Sequence, residues 1–222
     1  MSVPPRKYHI LVTLGPTWEF IDPIRFITNR ATGTLGRLIA REGLRRGHRV
    51  TCVAGPTQLS PLPRARWVSV VSANEMHRAV ASAFPKADVL VMSAAVSDYR
   101  AKKIFRSKLK RKRKKVFLAL KANRDILGSL RPERRQVLVG FAVETKDLLK
   151  NALQKLREKK LDLMVANQFG ERQNPFGDRR VSVHFLWKDG RHRELKRAPK
   201  QKIASVLLEA IEALIAAKGL AR

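Results

Sequence analysis

The run YHILVTL, residues 8–14, decides the fold. It is apolar and β-branched without alternation and stops at Gly15-Pro16, the pattern of a strand buried on both faces. Such a strand belongs in a sheet with helices packed on either side, so helix and strand are expected to alternate after it. Residues 15–28 read as a long polar loop carrying Trp18, Glu19, Asp22 and Arg25. The stretch ITNRATGTLGR, residues 27–37, then opens a helix reaching about Arg46. Thr32 and Thr34 are candidates to cap its start, and Gly33 and Gly36 let backbone approach a ligand closely. Gly47 stops the helix, with Arg45 and Arg46 in a last turn where cations complement the dipole. A helix N-terminus set among small residues is a ready anion site, or else a glycine-bearing turn that merely begins a helix; these residues alone leave both readings open.

Outward from there, strands are predicted at 49–54 and 67–71, then a helix capped by Asn74 through about Phe84, with Pro85 at its end. Residues 88–92 (DVLVM), 136–141 (QVLVGF) and 161–166 (LDLMVA) read as further buried strands. Between the last two, residues 146–160 form an amphipathic pattern with Leu149, Leu153 and Leu156 on the buried face. Asn123 is a candidate cap for a short helix through Leu127. Residues 102–120 interrupt the alternation: eight of the ten residues from 106 to 115 are basic, and 116–120 resume strand character. A β-ribbon or flap inserted into the sheet is expected there. VSVHFLW and RHREL flank Lys188-Asp189-Gly190, a strong hairpin signal, and residues 200–217 close the chain as a helix. The expected fold is α/β: a Rossmann-like, doubly wound, mainly parallel sheet with an inserted basic ribbon and a C-terminal hairpin plus helix. Residues 1–222 read as a single domain.

Composition excludes several classes. No apolar run reaches membrane-spanning length, and MSVPPRKYHI lacks a secretory apolar region, so a cytoplasmic location is expected. The single cysteine, Cys52, excludes an intrachain disulfide and a multi-cysteine metal site, and its place in RVTCVAG reads as a buried strand residue. The histidines, His9, His48, His77, His184 and His192, show no metal-ligand spacing and read as structural or surface residues. A net charge of +29 and a pI near 11.4 draw polyanions such as nucleic acid, nucleotides and phosphorylated metabolites. Much of this charge is scattered, as solvated surface would be. A nucleic-acid-binding protein using residues 106–115 is the alternative function, although that run holds no aromatic residue for base stacking.

The architecture invites a dinucleotide, and the sequence argues against one. No G-x-G-x-x-G follows the first strand, Gly33-Thr34-Leu35-Gly36 comes too late, and the second strand ends in Ala54-Gly55-Pro56 without an acidic residue for a ribose. Walker A is absent as well. What remains are stretches at 15–36, 93–110, 123–127 and 140–159, which offer carboxamides (Asn29, Asn123), Asp98, cations (Lys108, Lys110, Lys155, Lys159) and a helix start. That set suits a phosphate-bearing substrate together with a nucleoside triphosphate.

These stretches carry a resemblance. IDPIRFITNRATGTLG resembles the phrase I-D-P-V-R-x-I-[ST]-N-x-S-S-G-x-M-G, and AAVSDYR followed by Lys108-Leu109-Lys110-Arg111 resembles A-A-V-A-D-[YF]-R-P with K-I-K-K. NRDIL resembles N-P-D-I-L; VGFAVET resembles V-G-F-A-A-E-T; KLREKKLDLMVAN resembles K-L-x-x-K-x-x-D-x-I-V-A-N. The family is phosphopantothenoylcysteine synthetase, or phosphopantothenate–cysteine ligase, of coenzyme A biosynthesis, and the match covers nearly the whole chain.

The resemblance implies activation of 4′-phosphopantothenate as an acyl-nucleotide by CTP or ATP, with Mg²⁺, followed by amide formation with cysteine. It implies that Asn29 contacts the substrate carboxylate and polarises the acyl carbonyl, and that Lys108 meets the triphosphate. Asp98, Arg124, Asp125, Ile126, Leu127, Phe141, Lys155 and Lys159 are implied in the nucleotide site, and Thr32, Gly33 and Thr34 in the cradle for substrate phosphate. The metal ligands are not assigned. A homodimer is implied, in which the basic ribbon covers a partner's active site. With Met1 so near the first strand, the flavin-dependent decarboxylase found fused in many members is expected as a separate protein. The chain departs from the family phrases at Ala31-Thr32-Gly33-Thr34-Leu35-Gly36, which lack a serine and a lysine, and at Ala101 and Arg124, which stand for prolines. Leu14-Gly15-Pro16-Thr17 also stands for A-G-G-T. Altered phosphopantothenate affinity, altered nucleotide choice, or both, follow from these changes.

Overall fold

A computed structural model describes residues 7–111, 116–170 and 180–219. In chain order the elements are β1 (His9–Leu14), β2 (Trp18–Phe20), β3 (Phe26–Thr28), α1 (Thr34–Arg45), β4 (Arg49–Ala54), β5 (Arg66–Ser69), α2 (Ala73–Ala83) and β6 (Val89–Met92). There follow β7 (Tyr99–Ala101), β8 (Leu120–Ala122), α3 (Ile126–Ser129), β9 (Val137–Glu144), α4 (Leu148–Glu158), β10 (Leu163–Gln168), β11 (Val181–Trp187), β12 (His192–Ala198) and α5 (Lys200–Ala217).

Among the described residues, eight strands form one sheet in the order β12-β11-β10-β9-β6-β1-β4-β5. The pairs from β5 through β10 are parallel, and the hairpin β11–β12 extends the sheet antiparallel beyond β10. The doubly wound, mainly parallel architecture is therefore present, and β1 lies at its centre with Leu11, Val12 and Leu14 fully buried. One core packs α1 and α5 on one face of the sheet through Ile39, Ile203 and Leu207. The other packs α2 and α4 on the opposite face through Met76, Val80 and Leu156. Gly36 admits α1 onto β1, since a Cβ there would stand 2.6 Å from the Leu14 Cβ.

Several local expectations are corrected. Residues 18–28 are not a loop but the small hairpin β2–β3, in which Trp18 stacks on Phe26 at 4.2 Å between ring centroids. The ribbon β7–β8 is a separate two-stranded sheet, not an insertion into the main one, and its second strand begins only at Leu120. Residues 112–115 of the basic run lie outside the described residues. Helix α2 is capped by Ser72, whose hydroxyl accepts from Glu75 N, while the Glu75 carboxylate accepts from Val71 N; Asn74 is already inside the helix. The cap position of α1 is Gly33 at φ 81°, not Thr32 or Thr34; Thr34 is the first helical residue, and its N–H donates to the Thr32 hydroxyl at 3.5 Å. Helix α3 begins after Asp125, and Asn123 instead donates to Ser97 O at 2.8 Å. On α4, Leu149 is exposed, and Ala152 and Leu156 carry the buried face.

Cys52 is fully buried in β4, and burial pushes its thiol up to about 12, so it holds no thiolate at neutral pH. The joint between α1 and α5 is ionic. Glu42 accepts from Arg45 at 2.7 Å and Arg46 at 2.9 Å, and Arg46 and His48 reach Glu212 at 2.8 and 3.0 Å. The Arg45 hydrogen bond, outweighing burial and joined by Arg46, lowers the Glu42 pKa from an ordinary 4.5 to about 2. A depressed carboxylate stabilises the fold fully above its ordinary pKa and loses that contribution as pH falls through the folded value. Stability is expected to drop between pH 4.5 and about 2. Glu42→Gln should lower the neutral-pH melting temperature by a few degrees and flatten that acid slope, which thermal melts across the window would read.

Candidate active site

In a doubly wound sheet, ligands collect outside the carboxyl ends of the strands where the strand order reverses, here between β1 and β6. That point is occupied by main chain. Ala95 N donates to Gly15 O at 2.9 Å, Ala94 N to the Thr13 hydroxyl at 3.1 Å and Ser97 N to the Thr17 hydroxyl at 3.0 Å. Pro16 and Ala95 form a parallel bridge. The loop from β1 also fills the place of a ribose-binding acid: a Cβ on Gly55 would stand 1.7 Å from Pro16 O, so the end of β4 has no room for a side chain.

The opening is displaced to the ends of β6 and β9, where a cavity of about 880 Å³ lies. Its walls are the loop after β3 (Asn29, Arg30), the loop after β6 (residues 93–98), the start of α3 (residues 123–127), the end of β9, and the far end of α4. Asn29, Asp98, Arg124, Asp125, Ile126, Leu127, Phe141, Lys155 and Lys159 all line it. Stretches more than a hundred residues apart in sequence are thus brought into one site. Thr32, Gly33 and Thr34 are not among its lining residues; they form the start of α1, where the Thr32 and Thr34 hydroxyls meet at 2.9 Å. Lys108 is also outside the lining and exposed. The residue after it is anchored: Leu109 N donates to Asp22 Oδ2 at 3.1 Å, and Arg25 Nη2 donates to Leu109 O at 2.8 Å. Asp22 is fully buried, and its hydrogen bonds from Arg25, and from Ile24 and Leu109 N–H, hold its carboxyl well below the usual range.

Asn29 is already bonded. Its amino group donates to Ala95 O at 3.2 Å and Val96 O at 3.1 Å, tying the loop before α1 to the loop after β6. To polarise an acyl carbonyl it must exchange one of these bonds for the substrate oxygen. Both α4 lysines are neutralised as well: Lys155 pairs with Glu144 at 2.7 Å, and Lys159 with Asp125. Burial works against the charged form of Asp125, but the Lys159 hydrogen bond and charge outweigh it and leave the pKa lowered. Among the described residues the Asp98 carboxylate has no hydrogen-bond or ion-pair partner. The buried Ser97 hydroxyl also has none.

Sequence reasoning missed Arg30, Ser97 and Glu144. Arg30 adjoins Asn29, so adjacency was the available signal. Ser97 sits in the loop already singled out. Glu144 is eleven residues from its lysine, and no local pattern pairs them. Among the described residues, no group of three or more His, Cys, Asp or Glu is placed to hold a metal, and no helix is long and apolar enough to cross a membrane.

Residues 6–215 match the model of the DNA/pantothenate metabolism flavoprotein C-terminal domain. The chain is 39% identical over 215 residues to the Coenzyme A biosynthesis bifunctional protein CoaBC of Bacillus subtilis, covering 96% of this chain and 53% of that protein. It therefore spans about half the length of the curated relatives it matches. The crystal structure of the C-terminal domain of a CoaBC protein superposes with a TM-score of 0.79 at 35% identity, covering 94% of this chain and 95% of that one. A Cab2 mutant solved in complex with phosphopantothenate-cysteine shares the fold, with a TM-score of 0.74 at 17% identity over 96% of this chain and 88% of its own.

Proposed function

From the DNA/pantothenate metabolism flavoprotein C-terminal domain family, to which this chain belongs over residues 6–215, we propose a phosphopantothenate–cysteine ligase of coenzyme A biosynthesis. The observation that carries this reading is the convergence of Asn29, Asp98, residues 124–127, Phe141, Lys155 and Lys159 on one cavity. The coenzyme A biosynthesis named for the relatives supports it.

In the proposed reaction, the 4′-phosphopantothenate carboxylate attacks the α-phosphorus of CTP or ATP, and pyrophosphate leaves. The cysteine amine then attacks the acyl carbon, forming the amide and releasing nucleoside monophosphate. Carboxylate and triphosphate repel one another, so the cavity must supply positive charge and exclude water. Asn29 polarises the acyl oxygen as a neutral donor, without a buried charge. Residues 124–127 and Phe141 line the rest of the nucleotide site, and Lys155 and Lys159 release Glu144 and Asp125 to meet phosphate oxygens. Lys108, set beside the Asp22–Arg25 anchor, reaches the triphosphate from the ribbon side. Thr32, Gly33 and Thr34 receive the substrate's phosphate at the start of α1, outside the cavity itself.

The residues fit Mg²⁺, which binds through one or two carboxylates with phosphate oxygens: Asp98 is a lining carboxylate without a partner among the described residues. The ion would neutralise charge on the leaving pyrophosphate. A homodimer is part of the proposal, supported by apolar side chains left exposed around the ribbon, with Phe117 94% and Val116 68% exposed. The location is cytoplasmic, and the decarboxylation coupled to ligation is supplied from outside the matched residues.

The test supplies 4′-phosphopantothenate, cysteine, Mg²⁺ and either CTP or ATP, and follows pyrophosphate. Release dependent on both acid and nucleotide is expected; none with either nucleotide, from folded dimer, would sink the ligase reading. The nucleic-acid alternative is not favoured, because the cavity and its convergent residues serve no purpose in it.

A further inference from the structure

Among the described residues the cations lining the cavity are Arg30, Arg124, Lys155 and Lys159. Both lysines already have carboxylate partners, Glu144 and Asp125. A polyanion reaching them must break those pairs, and the released carboxylates then stand beside it as like charges. Arg30 and Arg124 are in the opposite condition: both are exposed and neither has a hydrogen bond or ion pair to any described residue. The charge of Arg124 is felt at His77, whose pKa is lowered first by burial and then by that guanidinium. They also stand on separate walls, Arg30 after β3 and Arg124 before α3. Neither is prescribed by the motifs: Arg30 fills the open position of N-x-S-S-G, and Arg124 replaces the proline of N-P-D-I.

We propose that Arg30 and Arg124 are the pair with which this chain first grasps the polyphosphate of its nucleotide, ahead of the two lysines. Guanidinium forks match phosphate oxygens bidentately, and a chain of phosphates offers each arginine its own group. The lysines then change partners after the anion has docked. The inference rests on the ligase reading for the identity of the nucleotide, but the capture of a polyphosphate is measured without turnover.

The experiment is titration calorimetry with inorganic triphosphate and, in parallel, orthophosphate, at fixed ionic strength, on variants whose circular dichroism matches the parent. Arg30→Gln and Arg124→Gln should each weaken triphosphate binding by about tenfold, and the double variant by about a hundredfold. Arg124→Lys should recover part of the loss. Arg41→Gln, which removes an exposed α1 charge outside the cavity, should change it by less than about twofold. The proposal is overturned if the double variant binds triphosphate like the parent, or if Lys155→Gln alone costs as much as the double. It is also overturned if Arg41→Gln matches the single variants, or if orthophosphate loses as much affinity as triphosphate. Failure of the ligase reading would appear separately, in the pyrophosphate assay.

Discussion

Asn29→Asp is expected to lower ligation turnover by about 10²–10³-fold, the range for losing one donor to a developing oxyanion. The substitution keeps the shape and removes both N–H groups. In the parent these donate to Ala95 O and Val96 O at 3.2 and 3.1 Å. A carboxylate in their place turns two attractions into oxygen–oxygen repulsion, so the loop before α1 loses its tie to the loop after β6. The two half-reactions should respond differently. On the proposed reading, nucleotide-dependent pyrophosphate release draws on residues 124–127 and the lysines and should persist in part, while amide formation should collapse. Single-turnover runs that quantify pyrophosphate and amide product separately would show this. Full ligation by the variant would remove Asn29 from the role.

The second large effect is expected at a residue that touches no ligand. Asp22→Ala should reduce kcat/KM by about 10²-fold, the scale set by misplacing a group by about 1 Å. The Asp22 carboxylate accepts from Ile24 N, Arg25 N, Arg25 Nε and Leu109 N between 2.8 and 3.1 Å, and Arg25 completes the clamp on Leu109 O. Without it the segment bearing Lys108 comes away from the β2–β3 hairpin. The donors on Ile24, Arg25 and Leu109 lose a buried acceptor, so the melting temperature should fall by a few degrees, while the main sheet, which shares no strand with that hairpin, keeps its circular dichroism. Trypsin should cut the variant faster within residues 102–121. Lys108→Ala should be equally impaired, and combining the two should add little, because residues acting as one unit are not additive. Additive losses would show that Asp22 acts by another route.

How much of this was legible depended on the length scale of the cause. Buried strands such as β1, β4 and β6 declare themselves because covering both faces demands an unbroken apolar run. Helix α5 has the bounds read from its periodicity. The hairpin β2–β3 was missed because three-residue strands leave no period to detect. The Ser72–Glu75 capping box was present as S-x-x-E two positions before Asn74, and the nearer asparagine was preferred. The site residues came mostly from motif resemblance, and nine of them do share a cavity. What the motifs did not carry was the state of those groups. That both lysines are paired, that the Asn29 amide is engaged and that Arg30 has no partner among the described residues depend on how distant segments meet.

The seam between the loops after β1 and β6 has a consequence for how such a site can be inherited. Several of its ties, Ala95 N to Gly15 O and Asn29 to the carbonyls of residues 95 and 96, end on atoms that every amino acid carries. Those ties are insensitive to the side chains displayed on the loops, whereas the bonds from Ala94 N and Ser97 N need the Thr13 and Thr17 hydroxyls. Of Leu14-Gly15-Pro16-Thr17, the Gly15 carbonyl and the Thr17 hydroxyl are what hold the loop after β6. A substitution on the rim, where Arg30 and Arg124 stand, leaves those main-chain ties untouched.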